Sequence, residues 1–189
     1  MSIETVGIIH LQDTAKIKYG MYISKAPKGT RKTGDIKING DIAGRSVVMN
    51  LWQQLKTEET GFRLDGRVSL DTASVWLEIT PLNPIIGYST CTVNPGNYVE
   101  YFKDGSIAAN LKITSGEKLF NIYTENGEVS DELGVKLASL DISSLLEIWP
   151  LAPPVGGLLS SDLRLSYGGR RIFADGTVAV DGCTCTKRL

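Results

Sequence analysis

The residues that could carry acid–base or metal chemistry are few and widely separated in this sequence. His10 is the only histidine, and the cysteines are Cys91, Cys183 and Cys185. A structural zinc site needs four ligands at a recognisable spacing, and three cysteines with one histidine do not supply it. A lone imidazole on or beside a strand is typical of a structural side chain. The sequence therefore predicts no metal site and no catalytic histidine.

Motifs for nucleophilic catalysis and phosphate binding are also missing. The chain has no G-x-S-x-G elbow, no G-x-x-x-x-G-K-(S/T) loop and no G-x-G-x-x-G after a strand. We expect that the chain is not an enzyme, has no catalytic residues and uses no cofactor. A carbohydrate-acting enzyme stays open as an alternative, because all-β folds can hold a carboxylate pair at positions far apart in sequence.

The cysteines permit two interpretations. Cys183 and Cys185 are separated by one residue, so a strand would place both on one face. Buried or half-buried structural thiols are the favoured interpretation. The alternative is a disulfide between Cys91 and one member of the pair in an oxidising compartment.

Hydrophobic residues alternate with polar ones along most of the chain, and this pattern predicts strands. The clearest case is residues 36–42, where Ile36, Ile38 and Ile42 alternate with polar side chains. Similar alternation at residues 15–23, 47–53, 62–70 and 75–79 predicts a meander of antiparallel hairpins, each with one apolar face. The fold class is therefore all-β, and we expect one strongly twisted, curved antiparallel sheet.

The predicted sheet would place its apolar side chains on one concave face. These residues are Ile36, Ile38, Ile42, Leu64, Val68, Leu77, Leu163 and Leu165.

Little helix is expected. A short apolar patch in residues 142–149 includes Leu145, Leu146, Ile148 and Trp149, and it predicts one or two helical turns that end at Pro150. Residues 52–59 are a second candidate helix. Two prolines, Pro81 and Pro84, are expected to break the ladder in the middle of the chain.

A loose internal repeat accompanies these elements. Residues 104–113 align with residues 156–165, because glycine, aliphatic, small, Asx, leucine, basic and aliphatic types recur in the same order. Residues 77–82 likewise resemble residues 140–145. The pattern predicts two related β units, at about residues 77–125 and 140–182. The alternative is that any two amphipathic strands align this well.

The segment L-D-I-S-S-L-L, followed by P-P-V-G-G-L-L-S-S-D-L-R-L-S-Y-G-G, resembles the repeating segments of the AsmA/TamB family of bacterial envelope proteins. The resemblance is clearest over residues 140–182, weaker over residues 77–113, and only compatible before Pro81. The chain departs from the family in being far shorter and in lacking an N-terminal membrane anchor.

The resemblance implies a long β-sheet folded into an open, taco-like groove. It implies transport of phospholipid between the inner and outer membranes, or assistance in outer-membrane protein assembly. The implied partners are phospholipid acyl chains, which would contact the eight apolar residues of the concave face, and an outer-membrane barrel protein. We therefore expect residues 1–189 to be one β-groove segment of a longer chain in the periplasm, anchored in the inner membrane through a segment absent from this sequence. A structural or adhesive β domain, such as a sandwich closed on its own core, is the alternative.

Composition limits the remaining classes. Lys and Arg number 20 against 21 Asp and Glu, and the net charge of -1 gives no electrostatic sign of nucleic-acid binding. A hydrophobic content of 42% is too high for a wholly disordered chain. No apolar run approaches the roughly 20 residues that span a bilayer.

Overall fold

The structure is a computed structural model that describes residues 2–10, 16–24, 35–54, 60–146, 155–168 and 171–185. The long strands are β1 (Ser2–His10), β2 (Lys16–Ser24), β3 (Asp35–Ala43), β4 (Ser46–Gln54), β5 (Thr60–Leu70), β6 (Ser74–Ile79), β10 (Tyr98–Phe102), β11 (Ile107–Ser115), β12 (Lys118–Tyr123), β13 (Glu132–Asp141), β14 (Val155–Gly168) and β15 (Arg171–Cys185). Three short strands are β7 (Ile85–Ile86), β8 (Ser89–Thr90) and β9 (Thr92–Val93). The helical elements are a 3-10 turn at Glu125–Gly127 and α1 (Ile142–Leu146).

All of these strands belong to one antiparallel sheet of 15 strands. The main path is β1-β2-β3-β4-β5-β6-β10-β11-β12-β13-β14-β15, so each long strand pairs with the next long strand of the chain. The path does not close on itself, because β1 and β15 each pair on one side only. The predicted fold class is confirmed: the chain is all-β, with one open antiparallel sheet and one short helix.

The two ends of the sheet differ. At the end that we call the turn end, hairpins close through short connections, such as Gly44-Arg45 between β3 and β4. At the opposite end, the loop end, residues 80–97 connect β6 to β10, and α1 follows β13. The short turns fix the register of the hairpins, which in turn decides which side chains share a face.

Residues 80–97 do more than interrupt the sheet. Within this segment β7 pairs with β5 and with β8, while β9 pairs with β11. The segment thereby occupies the loop end between β5 and β11, beyond the ends of the shorter β6 and β10. A packed group of side chains forms here, which we call the end cluster: Ile79, Cys91, Val93, Leu111 and Ile113, with Leu64, Ile86, Val99 and Phe120 packed against it.

Asn97 joins this segment to the end of β6. Its side-chain amide accepts a hydrogen bond from the backbone N–H of Ile79 at 2.8 Å and donates one to the Ile79 carbonyl at 3.0 Å. Asn97 is 5% exposed, so water cannot readily replace these bonds. The Asn97 side chain therefore makes the two backbone hydrogen bonds with the end of β6 that a neighbouring strand would otherwise make.

The short helix lies within the predicted segment. α1 covers Ile142–Leu146, whereas Ile148 and Trp149 lie outside the described residues. The Asp141 carboxylate accepts hydrogen bonds from the backbone N–H and hydroxyl of Ser143, and from the hydroxyl of Ser144. The prediction of a helix at residues 52–59 is wrong over residues 52–54, which continue β4 and pair with β5, while residues 55–59 are not described.

Two segments that begin on distant strands meet at the loop end. A Cβ atom on Gly87, in the turn between β7 and β8, would lie 2.9 Å from the Ser144 Cβ in α1. β7 pairs with β5 on the same side as β6, a position four places from β13 on the path, which is about 19 Å in a flat sheet. The five residues of α1 span only about 7.5 Å. The sheet therefore curves between β5 and β13.

The two aligned segments of the loose repeat place their apolar side chains on the same face of the sheet, but their strands run in opposite directions. The register places Leu111 of β11 and Leu163 of β14 on the same face. β11 and β14 are three places apart in an antiparallel meander, so they run in opposite directions. The order of elements suggests another correspondence. β13 is followed by α1 and then by its neighbour β14, just as β6 is followed by residues 80–97 and then by its neighbour β10. The division into two units stays a prediction.

Within the described ranges, no helix has both the length and the apolar character needed to cross a membrane.

Candidate lipid-binding face

The strand register defines one apolar face that continues across the sheet. Residues directly opposite each other in an antiparallel pair lie on the same face. One row crosses the strands from β3 to β11, and its members are Ile42, Val47, Val68, Leu77, Val99 and Ala109. A row nearer the loop end continues to the last strands, and it contains Leu111, Ile122, Val135, Leu163 and Gly176.

The predicted lipid-contact residues all lie on this face. Counting two residues at a time along each strand from the rows above reaches the whole set: Ile36, Ile38, Ile42, Leu64, Val68, Leu77, Leu163 and Leu165. Alternation in the sequence places these residues on one face correctly, because short turns keep the two-residue alternation of side chains in step from one strand to the next. Whether these side chains contact lipid stays a prediction.

These side chains are not equally accessible. Ile36 is only 4% exposed, and Leu64 packs against the end cluster, so these two serve as packing residues in this structure. The other six are partly exposed. Every described strand belongs to the same sheet, so no second sheet among them covers this face.

The opposite face is mostly polar, although it also carries aromatic side chains such as Trp76, which stacks on Tyr98 with ring centroids 4.4 Å apart. Its residues in β3 are Lys37, Asn39 and Asp41, and all three are exposed. Opposite charges face each other across neighbouring strands, with Arg67 Nη1 3.3 Å from Glu78 Oε1 and Lys136 Nζ 3.2 Å from Asp162 Oδ2. Exposed pairs of this kind contribute about 0–1 kcal/mol each, so their main effect is to keep this face in water.

Polar groups also occur within the apolar face. Ser161, 7% exposed, lies in the row with Leu137 and Val178. Its hydroxyl has no hydrogen-bond partner among the residues that the structure describes. The hydroxyl interrupts an otherwise hydrocarbon row close to Leu163, on the strand that carries two of the predicted contact residues.

The cysteines do not form a disulfide. Cys91 is buried in the end cluster, whereas Cys183 and Cys185 are exposed on β15. Burial raises the pKa of the Cys91 thiol, which keeps it protonated and suits a packing role. The interpretation of buried or half-buried thiols is confirmed for Cys91 and is wrong for Cys183 and Cys185, and the alternative of a bridge from Cys91 to the pair is not realised. In the described part of the chain, no three His, Cys, Asp or Glu side chains lie close enough to hold a metal ion.

Sequence reasoning missed the contribution of residues 80–97 to this face. The segment places Val93, which is 1% exposed, beside Ile113 and so fills part of the loop end with packed side chains. The sequence Asn94-Pro95-Gly96-Asn97 is typical of a turn. It gave no indication that the Asn97 amide would bond to β6.

No family model, no curated protein and no solved structure matches this chain. The resemblance to the AsmA/TamB family therefore stays a prediction that depends on the sequence pattern alone.

Proposed function

We propose that this chain is a segment of a bacterial envelope protein whose apolar face carries phospholipid acyl chains between the inner and outer membranes. One observation carries the proposal: the described strands form a single open sheet with one apolar face and no covering sheet. Soluble monomeric proteins rarely expose large contiguous apolar surfaces, and those that do use them to bind a partner or ligand.

The dimensions of the face suit hydrocarbon chains. The path from β2 to β15 contains eleven strands, which corresponds to about 50 Å across the strands at regular spacing. Each methylene group moved from water onto such a face gains about 0.8 kcal/mol. This mode of binding requires no specific hydrogen bond, which agrees with the lack of recognisable binding motifs.

Curvature supports the assignment of the apolar face as the concave side. On a curved sheet, side chains on the concave side converge and cover one another, whereas those on the convex side spread into water. Ile38 and Ile42 are partly buried without a second sheet above them, while Lys37, Asn39 and Asp41 on the opposite side are exposed. The groove would thus be lined by hydrocarbon and surrounded by a hydrated outer surface.

The cellular setting follows from the proposed cargo. A protein that carries phospholipid between the two membranes works in the periplasm, anchored in the inner membrane through a segment outside this sequence. The opposite membrane offers an outer-membrane barrel protein as the partner. Assistance in outer-membrane protein assembly is the second form of this proposal, since an apolar groove with an open strand edge can also receive an unfolded strand.

The structural or adhesive alternative has less support. A sandwich would bury the apolar face between two sheets, and all described strands belong to one sheet. An enzyme acting on carbohydrate would need a pair of carboxylates converging in a cleft.

Substitution on the apolar face tests the proposal. We expect Ile38→Asp and Leu163→Asp to reduce crosslinking of a photoreactive phospholipid sharply, because the acyl chain would have to displace water from the new carboxylate. The thermal midpoint should change only modestly, since both residues are partly exposed. Asn39→Asp is the matched control, as it adds a carboxylate to the exposed face of the same strand. A large loss of stability with unchanged crosslinking would show that these residues are ordinary core and would exclude the lipid track.

A further inference from the structure

The apolar face is closed at one end and open at the other along the central strands β5, β6 and β10. At the loop end its side chains are buried, with Phe62 3% exposed and Ile79 8% exposed. At the turn end a row of directly opposed residues is exposed, which we call the open row: Leu70 at 44%, Val75 at 41% and Tyr101 at 52%. A ligand therefore has access to this part of the face from the turn end.

The end cluster forms the closed end of this part of the face. β6 places Val75 in the open row, Leu77 in the middle and Ile79 in the end cluster. Val75 and Ile79 are about 13 Å apart along an extended strand. An acyl chain that enters over the open row and lies along β6 reaches buried side chains at the end cluster, so its headgroup stays at the turn end.

Acidic side chains lie next to the open row. The row continues from Tyr101 to Ile107 of β11, and Ile107 forms a bridge with Ser130 in the connection between β12 and β13. Exposed carboxylates occur beside Ser130 and in the turn after β10, and they are Asp104, Glu125, Glu128, Asp131 and Glu132. Within the described part of the chain, none of these carboxylates forms an ion pair with a basic side chain. The turn end of this region therefore carries an excess of negative charge.

Lys103 adds one positive charge close to the open row. Its backbone N–H donates a hydrogen bond to the Ala73 carbonyl at 3.0 Å, so the pairing of β10 with the β6 side extends one residue past the end of the strand. Side chains alternate along a strand, so Lys103 falls on the same face as Tyr101. Arg45 lies at the same end of the sheet, but the Asp71 carboxylate 3.1 Å away balances its charge. The open row is thus bordered by the Lys103 ammonium and by several unbalanced carboxylates.

We infer that the lipid bound on this face is an aminophospholipid, held with its acyl chains along β6 and β10 and its headgroup at the turn end. Such a headgroup carries a phosphate and a primary ammonium, so it matches a border that contains both signs of charge. Lys103 lies beside the phosphate, while the carboxylates of Asp104 and Asp131 attract the ammonium. A phospholipid whose headgroup carries only negative charge would meet the same carboxylates without compensation. The inference rests on the proposed function and adds the class and the orientation of the lipid.

Two side chains of this border have properties that suit a headgroup. The Ser106 hydroxyl and backbone N–H donate hydrogen bonds of 2.6 and 2.9 Å to the Asp104 carboxylate, which lowers its pKa and keeps it charged at neutral pH. Tyr101 combines an apolar ring with a hydroxyl, and a side chain of this kind suits the boundary between hydrocarbon and polar groups. The border therefore stays negative at a pH where the ammonium stays positive.

Competition between two photoreactive phospholipids tests the inference on the full chain. Phosphatidylethanolamine and phosphatidylglycerol with the same photoreactive acyl chains are supplied in equal amounts in phosphatidylcholine vesicles. We expect phosphatidylethanolamine to give about twofold to fivefold more adduct at low salt, the range that exposed charge interactions produce. The preference should disappear at high salt, because ions screen exposed charges.

Charge reversal at the border should change the preference. Glu128→Lys should reduce the excess of phosphatidylethanolamine adduct, and Glu128→Lys/Asp131→Lys should remove or reverse it, while the total yield of adduct stays close to that of the wild type. Glu117→Lys is the matched control and should keep the wild-type preference, since Glu117 is also exposed but lies in the turn between β11 and β12 at the loop end. Circular dichroism checks that the variants, which change only exposed side chains, keep the fold.

The orientation of the lipid has its own readout. A photoreactive group next to the glycerol should label residues near Tyr101, whereas one at the end of the acyl chain should label residues near Leu77. Equal adducts with the two lipids at low salt, a preference unchanged by Glu128→Lys/Asp131→Lys, or labelling in the reverse order would overturn the inference and leave the proposed function intact. Absence of adducts with either lipid would overturn both.

Discussion

At the scale of single residues, the structure depends on polar side chains that complete backbone hydrogen bonding where strands end. The Asn97 amide does this for both backbone groups of Ile79 in the end cluster. Asn94 performs a similar role at the surface, where it bonds to the backbone N–H of Lys112 and to the carbonyl of Asn110. The two asparagines have the same chemistry but differ in access to water, so they form a matched pair for mutation.

Asn97→Ala should lower the free energy of unfolding by about 2–3 kcal/mol, because a buried N–H and a buried C=O lose their partners. Asn94→Ala should cost about 1 kcal/mol or less, since water can bond to the exposed groups. Chemical denaturation measures both values. Equal losses for the two variants would contradict the role assigned to Asn97.

Asp141 gives a pH-dependent prediction. Partial burial acts to raise its pKa, but the hydrogen bonds from Ser143 and Ser144 outweigh burial and hold the pKa below the ordinary value. A carboxyl with a lowered pKa stabilises the fold above its unfolded pKa of about 3.9, and this stabilisation disappears as the pH falls through the folded pKa.

The thermal midpoints of the wild-type chain and Asp141→Asn should therefore differ most near neutral pH and converge below about pH 4. Replacing both donors, with Ser143→Ala/Ser144→Ala, should weaken the same pH dependence. A difference between wild type and Asp141→Asn that stays constant from pH 7 to pH 3 would show that the hydrogen-bonded carboxylate contributes no pH-dependent stability.

At the scale of elements, contact between the β7–β8 turn and α1 couples strands on two sides of the curved sheet. Gly87 has φ +57°, and its missing Cβ leaves room for Ser144. Gly116, in the turn between β11 and β12, has nearly the same φ of +58° but has no atom within 4 Å of an added Cβ. Substitutions at Gly87 and Gly116 can therefore be compared to separate the stability lost to the left-handed backbone from the stability lost to contact with Ser144.

Both Gly116→Ala and Gly87→Ala should cost about 1–2 kcal/mol for the left-handed backbone. Gly87→Ala should cost about 1–3 kcal/mol more, because its methyl group overlaps Ser144. In a double-mutant cycle, Ser144→Gly should remove most of that additional loss. Equal destabilisation in the two single variants would show that the β7–β8 turn and α1 are not in close contact.

The same elements show how far the sequence could predict the structure. The alternation of apolar and polar residues predicted the long strands and the face on which each side chain lies. This worked because short turns such as Gly44-Arg45 fix the register between neighbouring strands. The strands β7, β8 and β9 have two residues each, which is too short to produce a periodic pattern. The burial of Ile36 and the packing of Leu64 depend on tertiary contacts that alternation does not encode.

At the scale of the whole molecule, the central feature is the separation of one open sheet into an apolar face and a mostly polar face. The separation persists to β14, where Leu163 and Leu165 alternate with Asp162 and Arg164. A lipid held on the apolar face would meet every second residue of this strand. A lipid bound nonspecifically at the surface would show no such period.

Photocrosslinking along β14 tests the central claim most directly. A photoreactive amino acid is placed in turn at each residue from Asp162 to Leu165, and adducts with phospholipid from mixed vesicles are measured by mass spectrometry. We predict strong adducts at positions 163 and 165 and weak ones at positions 162 and 164, because only the first pair lies on the apolar face. Equal adducts at all four positions, or adducts confined to positions 162 and 164, would contradict the proposed lipid track.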